Sequence, residues 1–412
     1  MPEFLTLLPP DAARSLLLSN LGTLPDCSEM VDTASALGRV TTFDIFAPHP
    51  LPAFPRSTVD GFAVRARDTY GVSDSIPGYL ALVGEVAMGT APEIKLTGGE
   101  CALIHTGGML PQGSNAVVML EYTQSVRPGE IEIQRSVADG ENVIRVGEDV
   151  SENQLVIAKG VKLRPAEIGG LMALGIQEIR VAKKPRIGLI SSGDEVIPPN
   201  QTPQPGQVRD INSYSLASLI TQSGGQPVFY GIIADNFEML KVKAAQALEE
   251  CEMLIVTAGS SASIRDMTAD VIASLGKPGV LVHGINTRPG KPTILGVCNG
   301  KAVIGLPGNP VSALVNGYLF VVPIIDKLLG LLPNRPRPIV PARLTVNLSS
   351  QSGREDWQPV RLVSTIDGYQ AVPVFGKSNL IFSLAAADGL IKIHPDANGI
   401  SAGEIVDVYL MS

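Results

Sequence analysis

The chain has 412 residues, which at the usual ~100 to 200 residues per domain predicts about three or four domains. Hydrophobic residues make up 45% of the sequence, enough for substantial cores, and the formal net charge is −8. No dense run of lysine or arginine offsets that charge, so the chain lacks the basic surface that binding to a nucleic-acid backbone requires. We therefore expect no nucleic-acid partner.

The four cysteines are far apart and none forms a CxxC pair, which argues against a disulfide framework or a zinc site. We expect reduced thiols and a cytoplasmic protein, since the first residues also lack the pattern of a signal peptide. The longest apolar stretch, 317–332, is interrupted by Pro323, Asp326 and Lys327. A buried helix suits it better than a span of ~20 residues, so we expect no membrane partner.

The first part of the chain predicts a helical domain interrupted by a β insertion. Residues 1–47 look helical, with 30–37 as a second helical segment, and 161–174 again has a helical pattern. Between them, 48–149 is rich in glycine and proline with short apolar runs, which is typical of a small β domain. We predict a helical domain of 1–47 and 150–183, in which 161–174 packs against the N-terminal helices, and an inserted β domain of 48–149.

Apolar strands alternate with helical stretches over 184–331, the pattern of a largely parallel sheet covered on both faces. Residues 332–412 contain alternating segments separated by turns, which fits a small β-barrel or sandwich. Within 184–331 we predict strands at 186–191, 227–233, 253–257 and 280–282, helices at 212–222, 235 onward, 266–275 and 310 onward, and a hairpin at 293–305.

The loop Leu306 to Pro310 is the first candidate site. In a parallel sheet it follows a strand and begins a helix, where free N–H groups and the positive end of the dipole attract phosphate. Asn309 can cap this helix, Pro310 suits its first position, and Gly308 permits close approach of a ligand. An ordinary Pro-Gly turn is the alternative for this pentapeptide alone.

Two more loops follow predicted strands at the same end of the sheet. Thr257 to Ser263 offers four hydroxyls that can surround an anion, although such a composition also suits a solvated linker. Ser191 to Glu195 carries two carboxylates, and carboxylates beside a bound phosphate need a cation between them. Mg²⁺ is the natural candidate, because it prefers oxygen ligands and bridges phosphates.

Residues 288–291, Arg-Pro-Gly-Lys, follow the fourth predicted strand and can clamp an oxyanion or phosphate. The stretch from Gly284 to Lys291 has the wrong spacing for a GxxxxGKS/T phosphate loop, and Pro292 replaces the hydroxyl residue. There is no GxGxxG after the first strand, and the four histidines form no HExxH motif. Nucleotidase, dehydrogenase and zinc-hydrolase functions are therefore disfavoured.

Eight segments, taken together, form a specific pattern: Pro52-Ala-Phe54, Ser57 to Val64, His105-Thr106, Gly147 to Asp149, Ser192 to Glu195, Asp210 to Asn212, Arg288 to Pro292 and Gly305 to Pro310. In their order and spacing they resemble the molybdopterin molybdenumtransferase family, which includes the gephyrin E domain, over nearly the whole chain. The resemblance implies the family's four domains: a helical domain split around a β domain, a three-layer α/β/α molybdopterin-binding domain at 184–331, and a C-terminal β-barrel at 332–412.

The resemblance implies insertion of molybdate into adenylylated molybdopterin, with release of AMP assisted by Mg²⁺. It implies a metal held by Glu195, Asp235 and Asp266. The implied catalytic residues are Asp60, Thr106, Glu195, Asp235, Asp266, Arg288 and Lys291. The implied substrate-binding residues are Ser192, Gly193, Asp194, Gly259, Ser260, Ser261, Ser263, Pro289, Gly290, Pro307, Gly308, Asn309, Pro310 and Ser312.

The resemblance also implies a homodimer whose cleft brings the inserted domain of one subunit to the α/β domain of the other, and a partner enzyme that adenylylates molybdopterin upstream. The chain departs from the family at three places. The serine loop that follows the third predicted strand has lost a glycine, Arg288 replaces a lysine, and Gly284 stands where many members carry another lysine. These departures leave a non-catalytic molybdopterin-binding scaffold as one alternative. A transferase that prefers tungstate is the other, since molybdate and tungstate are tetrahedral dianions of nearly equal size. We expect Trp357 and Phe375 to be barrel core, and Asp235 to be an N-cap.

Overall fold

A computed structural model describes residues 7–22, 27–258, 262–332 and 338–411; the side chains of 262–265 are outside this description.

Up to residue 182, the described residues 7–22 and 27–182 form two α-helices and twelve strands. The elements of this N-terminal part are α1 (Pro10–Asn20), β1 (Ser28–Asp32), β2 (Ile45–Phe46), β3 (Arg56–Ser57), β4 (Gly61–Val64), β5 (Gly78–Glu85), β6 (Glu100–Ile104), β7 (Ala116–Met119), β8 (Thr123–Arg127), β9 (Glu130–Ile133), β10 (Val143–Ile144), β11 (Leu155–Ile157), α2 (Pro165–Ala173) and β12 (Glu178–Ala182).

Strands at the two ends of this part pair in nested order. β1 pairs with β12, β2 with β11 and β3 with β10, all antiparallel, so the two chain segments run side by side toward a six-stranded sheet with the order β7-β4-β6-β5-β9-β8. That sheet has an apolar core on each face. The predicted β character of the insertion is confirmed.

Two predictions for the first segment are wrong. Residues 30–37 form the end of β1 and a 3₁₀ turn at Thr33–Ser35 instead of a helix, because β1 finds a partner strand in β12. The packing prediction is wrong only for α1: Leu171 of α2 shares a small core with Ala36 of the second predicted segment, whereas the buried Ala13 and Leu17 of α1 lie in the core of the α/β part.

In the α/β part, the structure describes nine strands and five α-helices. They are β13 (Arg186–Ser192), β14 (Val196–Ile197), β15 (Val208–Arg209), α3 (Asn212–Gln222), β16 (Gln226–Ile233), α4 (Phe237–Glu250), β17 (Met253–Ala258), α5 (Ala262–Ser274), β18 (Pro278–His283), β19 (Thr287–Arg288), β20 (Ile294–Cys298), β21 (Lys301–Pro307), α6 (Pro310–Asn316) and α7 (Val322–Leu328).

Six of these strands form one sheet with the order β16-β13-β17-β21-β20-β18. The four strands β16, β13, β17 and β21 are parallel to one another. β20 is antiparallel to both β21 and β18, so five of the six strands point the same way. Alternate side chains of β17 enter opposite cores: Ile255 lies with α3 and the last helix, and Leu254 lies with α4 and α5. The three-layer α/β/α prediction is confirmed.

A π turn at Gly317–Val321 joins α6 and α7 into one helix, Pro310–Leu328. By length and composition this is the one helix of the described residues that could cross a membrane. It packs in the core through Phe320, Ile324 and Ile325, as the core helix of a folded protein does.

The C-terminal part contains β22 (Ile339–Leu344), β23 (Leu348–Ser349), β24 (Glu355–Thr365), β25 (Gly368–Pro373), α8 (Phe382–Ala385), β26 (Gly389–Ile393), β27 (Gly399–Ile400) and β28 (Ile405–Leu410). The order β24-β25-β22-β28-β26 closes through pairing of β24 with β26, which makes a five-stranded barrel. Of the barrel and sandwich alternatives, the barrel is correct. β19 of the α/β part adds to this barrel beside β24.

Candidate active site

The carboxyl ends of five strands meet on one side of the α/β sheet. β13, β16, β17, β21 and β18 all end there, because only β20 runs in the opposite direction. The loops after them contain the predicted carboxylates, hydroxyls and cations. Of the predicted serine loop, Gly259, Ser260 and Ser261 lie outside the described residues, and for Ser263 only its position in α5 is described.

A buried polar cluster holds the ends of β13 and β17 together. Ser191 Oγ donates to Asp210 Oδ2 at 2.8 Å and lies 2.8 Å from Ser213 Oγ and 3.2 Å from Thr257 Oγ1. Asp210 Oδ1 also accepts from the N–H of Ser213 at 3.1 Å, so Asp210 satisfies a free N–H at the start of α3. A satisfied buried network of this kind fixes the positions of the loops that leave it.

The carboxylate loop after β13 is joined to the loop after β16. Ser192 Oγ donates to Asp235 Oδ1 at 2.9 Å, and the N–H of Asp235 donates to Asp194 Oδ1 at 3.1 Å. The prediction that Asp235 is an N-cap is wrong, because Asn236 caps α4 by accepting from the N–H of Met239. The Asp235 carboxylate is therefore available to the site.

Asn212 is a site residue that we did not predict from the sequence. It is the first residue of α3, its side-chain N–H donates to the carbonyl of Gly308 at 2.8 Å, and its Oδ1 is buried with no hydrogen-bond partner among the described residues. It lines a smaller cavity of about 360 Å³ with Ser192, Glu195, Asn309 and Pro310. The Asp210-Ile-Asn212 segment that carried part of the resemblance was the available signal.

The loop before α6 differs in detail from the prediction. Pro310 is the first helical residue, as expected, but the Asn309 side chain makes no capping hydrogen bond. The N–H of Val311 donates to the carbonyl of Ser378 in the C-terminal barrel at 3.0 Å. One of the N–H groups expected to face an anion is thus already used, and the loop is tied to the barrel.

The cationic loop at 288–291 is held in position by the buried side-chain amide of Asn316. Asn316 is fully buried, and its Nδ2 donates to the carbonyls of Pro289 at 3.2 Å and Ser312 at 2.8 Å. Gly290 has a φ of +103°, and a Cβ there would lie 1.7 Å from Asn316 Nδ2. Only glycine fits this position without movement of the loop.

The two predicted cations on this loop reach solvent. Arg288 keeps 64% of its side chain exposed and lies 3.8 Å from Asp356 of the barrel, and Lys291 is exposed. Both line a larger cavity of about 970 Å³ between the α/β part and the barrel. Pro289, Gly290, Pro307 and Ser312 line this larger cavity too, and Asn309 borders both cavities.

The barrel side of the larger cavity corrects a prediction. Phe375 is 69% exposed and lines the cavity, so it is not barrel core. Trp357, the single tryptophan of the chain, is half-buried, packs edge-on against Tyr409 at 5.4 Å, and also lines the cavity. The local pattern did not distinguish an aromatic residue in a strand from one in the loop after it.

Asp60 and Thr106 form a pair in the inserted β sheet. The N–H and Oγ1 of Thr106 donate to Asp60 Oδ1 at 2.7 and 3.1 Å, and His105 Nδ1 lies 3.7 Å from the same oxygen. The backbone N–H and then the hydroxyl of Thr106 hold the pKa of the Asp60 carboxyl below its ordinary value. The predicted pair is therefore a preformed, ionised carboxylate at the protein surface.

The predicted metal ligands are not gathered into a compact group. Asp266 is exposed on α5, and within the residues that the structure describes no three His, Cys, Asp or Glu side chains lie close enough to hold a metal. Mg²⁺ commonly binds through one or two carboxylates and completes its shell with substrate phosphates and water. Glu195 lines the smaller cavity, and Asp235 accepts a hydrogen bond from Ser192 of the same cavity lining.

Three family models match the chain in order. They are described as MoeA N-terminal region (domain I and II) at residues 8–175, probable molybdopterin binding domain at 188–327, and MoeA C-terminal region (domain IV) at 341–411.

Relatives match over almost the full length. A putative molybdopterin biosynthesis protein of Methanocaldococcus jannaschii is 34% identical over 98% of both chains, and the molybdopterin molybdenumtransferase of Haemophilus influenzae is 30% identical over 97% of both. The crystal structure of a molybdopterin biosynthesis MoeA protein from Pyrococcus horikoshii is 30% identical, has a TM-score of 0.86, and covers 98% of this chain and 100% of that one. The chain therefore belongs to the molybdopterin molybdenumtransferase family.

Proposed function

We propose that this protein inserts molybdate into adenylylated molybdopterin and releases AMP, as an enzyme of molybdenum cofactor biosynthesis. The observation that carries the proposal is the meeting of opposite charges at one side of the sheet. The Glu195 carboxylate lines the smaller cavity, and the Asp235 carboxylate is bonded to Ser192 of the same lining. The cations of 288–291 line the larger cavity, and Asn309 lines both.

The cationic loop binds the anionic groups. Arg288 and Lys291 attract the oxyanion and the substrate phosphate, and the buried Asn316 keeps their loop in one position before substrate arrives. Positive charge that is already in place stabilises the charge developed as the phosphoanhydride breaks, without reorganisation at that moment. Ser192, Gly308 and Asn309 bound the space in which the phosphates would lie.

The carboxylates serve the metal ion. Glu195, Asp235 and Asp266 are the residues that would hold Mg²⁺, one or two at a time, together with oxygens of the substrate. When bound, the ion neutralises the leaving phosphate. Asp235 is oriented for this role by the Ser192 hydroxyl, which leaves its second oxygen free of that bond.

The proposal includes a homodimer in which Asp60 and Thr106 of one subunit face the α/β loops of the other. Their exposed, ionised arrangement suits a site completed by another surface. It also includes the domain division at 1–47 with 150–183, 48–149, 184–331 and 332–412, a cytoplasmic location, and a partner that supplies the adenylylated pterin.

The test is AMP release measured by chromatography after purified protein is mixed with adenylylated molybdopterin, Mg²⁺ and molybdate. We expect release that depends on molybdate and stops when Mg²⁺ is chelated. Competition with tungstate in the same assay identifies the preferred oxyanion. Tight binding of the pterin nucleotide without AMP release would instead indicate a scaffold protein and overturn the proposal.

A further inference from the structure

Three ionisable side chains meet at one end of the inserted β sheet. β5 and β6 are parallel neighbours, which brings Glu85 at the end of β5 close to His105, the residue directly after β6. β4 is antiparallel to β6 and pairs Gly61 with Ile104, so Asp60 also lies beside this histidine. The sheet register therefore places His105 between two carboxylates.

Each ring nitrogen of His105 faces one of these carboxylates. Nε2 lies 3.0 Å from Glu85 Oε1, and Nδ1 lies 3.7 Å from Asp60 Oδ1. Within the residues that the structure describes, these are the two acidic side chains within 4 Å of the ring nitrogens. A neutral imidazole carries one N–H and the imidazolium carries two, so only the protonated ring can offer a proton to both partners. The geometry therefore favours the charged form of the ring.

The backbone that carries His105 is anchored. The N–H of Gly108 donates to the carbonyl of His105 at 2.9 Å and closes a turn. The N–H of Gly107 donates to the carbonyl of Ser57 at 2.8 Å, and the N–H of Ser57 donates to the carbonyl of Gly108 at 3.0 Å. The ring is thus held from two sides, by this turn and by Glu85.

Asp60 keeps one oxygen free. The N–H and hydroxyl of Thr106 and the ring of His105 all meet Oδ1, and no hydrogen bond from the described residues reaches Oδ2. His105 also lowers the pKa of the Asp60 carboxyl, after the larger contributions of the Thr106 N–H and hydroxyl. Asp60, Glu85 and His105 keep between 44% and 61% of their side chains exposed, and exposed ion pairs stabilise a fold little. The effect of this arrangement on Asp60 explains it better than stability does.

We propose that His105 and Glu85 are positioning residues for Asp60: Glu85 holds the ring, and the imidazolium keeps the Asp60 carboxylate turned so that its free oxygen meets the substrate. This inference rests on the proposed function, in which Asp60 faces the α/β loops of the other subunit. A phosphate and an oxyanion repel an ionised carboxylate beside them. A positive charge on the far side of that carboxylate offsets the repulsion.

The experiment is the pH profile of AMP release by the full chain at saturating adenylylated molybdopterin, Mg²⁺ and molybdate. Histidine changes charge between about pH 5 and 8, so the rate should fall roughly two- to tenfold as pH rises and the ring loses its proton. His105→Asn should have the lower rate at every pH and lack this alkaline limb. His105→Lys should also lack the limb but keep the higher rate, because an ammonium group stays charged to about pH 10.

Two further variants separate this role from a general effect of charge. Glu85→Gln removes the negative charge that favours the imidazolium, so the alkaline limb should move to lower pH. The matched control is His394→Asn on the barrel, where a histidine that is 65% exposed lies 3.2 Å from Asp396; its profile should equal that of the unsubstituted protein. A limb shared by all five proteins belongs to the substrate or the metal ion.

The outcomes separate this inference from the proposed function. A His105→Asn profile that matches the His394→Asn profile overturns the positioning role and leaves the transferase function in place. An alkaline limb that persists in His105→Lys does the same. Absence of AMP release by the unsubstituted protein at every pH would overturn the transferase function, and the positioning role with it.

Discussion

Gly290 connects the geometry of the site to the buried core, and Gly290→Ala is the substitution we develop first. The φ of +103° is unfavourable for alanine, which costs ~1–3 kcal/mol, and the new Cβ would lie 1.7 Å from Asn316 Nδ2. Overpacking against a residue that is fully buried adds ~1–3 kcal/mol. We expect a total of roughly 2–6 kcal/mol, relieved in part by a shift of 288–291.

That shift moves Arg288 and Lys291 away from the position in which Asn316 holds their loop. We therefore expect Gly290→Ala to lower both the stability, measured by urea unfolding with Trp357 fluorescence, and the rate of AMP release. The matched control is Gly206→Ala, where φ is +90° and nothing lies within 4 Å of the added Cβ. It carries only the backbone penalty and should leave AMP release unchanged.

The double variant Gly290→Ala, Asn316→Ala removes the atom that the new Cβ meets. The two substitutions should be less than additive by ~0.5–3 kcal/mol, because they share one contact. If Gly290→Ala matches Gly206→Ala in both stability and AMP release, the reasoning that Asn316 positions the cationic loop is refuted.

Three further predictions concern the surface carboxylates and the thiols. Thr106→Val removes a hydroxyl but keeps the N–H, so the pKa of Asp60 should rise part of the way to its ordinary value, which carboxyl NMR would detect; an unchanged pKa would contradict the assigned cause. Because the folded-state pKa is lowered, the stabilisation by ionised Asp60 is present above the unfolded pKa of ~3.9 and is lost as pH falls through the folded value. Asp266→Asn should abolish AMP release yet leave pterin-nucleotide binding within about tenfold, since one metal ligand is lost and the phosphate contacts remain; undiminished turnover would remove it from the mechanism. Cys27 is exposed, whereas burial raises the pKa of Cys101 to about 12, so a thiol reagent should modify Cys27 rapidly and Cys101 only after denaturation; equal rates would be inconsistent with the fold.

The strands of the α/β sheet were predictable because each is a continuous apolar run between turn residues. The hairpin was predictable for a local reason too: Asn299 and Gly300 both have positive φ, as a two-residue turn requires. The strand at Ser28–Asp32 could not be predicted in this way. Its partner, Glu178–Ala182, lies about 150 residues away in the chain, and no local pattern indicates that pairing.

The site residues that lie in loops directly after strands were predictable from the sequence. Those whose role depends on tertiary packing were less predictable. The resemblance predicted the cationic loop. Asn316, which fixes that loop, could not be predicted as a site residue, because in sequence it is simply a polar residue in a largely apolar helix. The cap of α4 is Asn236 instead of the predicted Asp235, because adjacent polar residues were equally suitable in sequence. Phe375 required knowledge of where the barrel meets the α/β part.

A single-turnover measurement tests the central claim most directly. Protein in excess over adenylylated molybdopterin is mixed with Mg²⁺ and molybdate, and AMP and pterin-bound molybdenum are quantified together. The account predicts that the two products appear at the same rate and in equal amounts, and that neither appears without molybdate. AMP release that is independent of molybdate, or no release above a protein-free control, would contradict it.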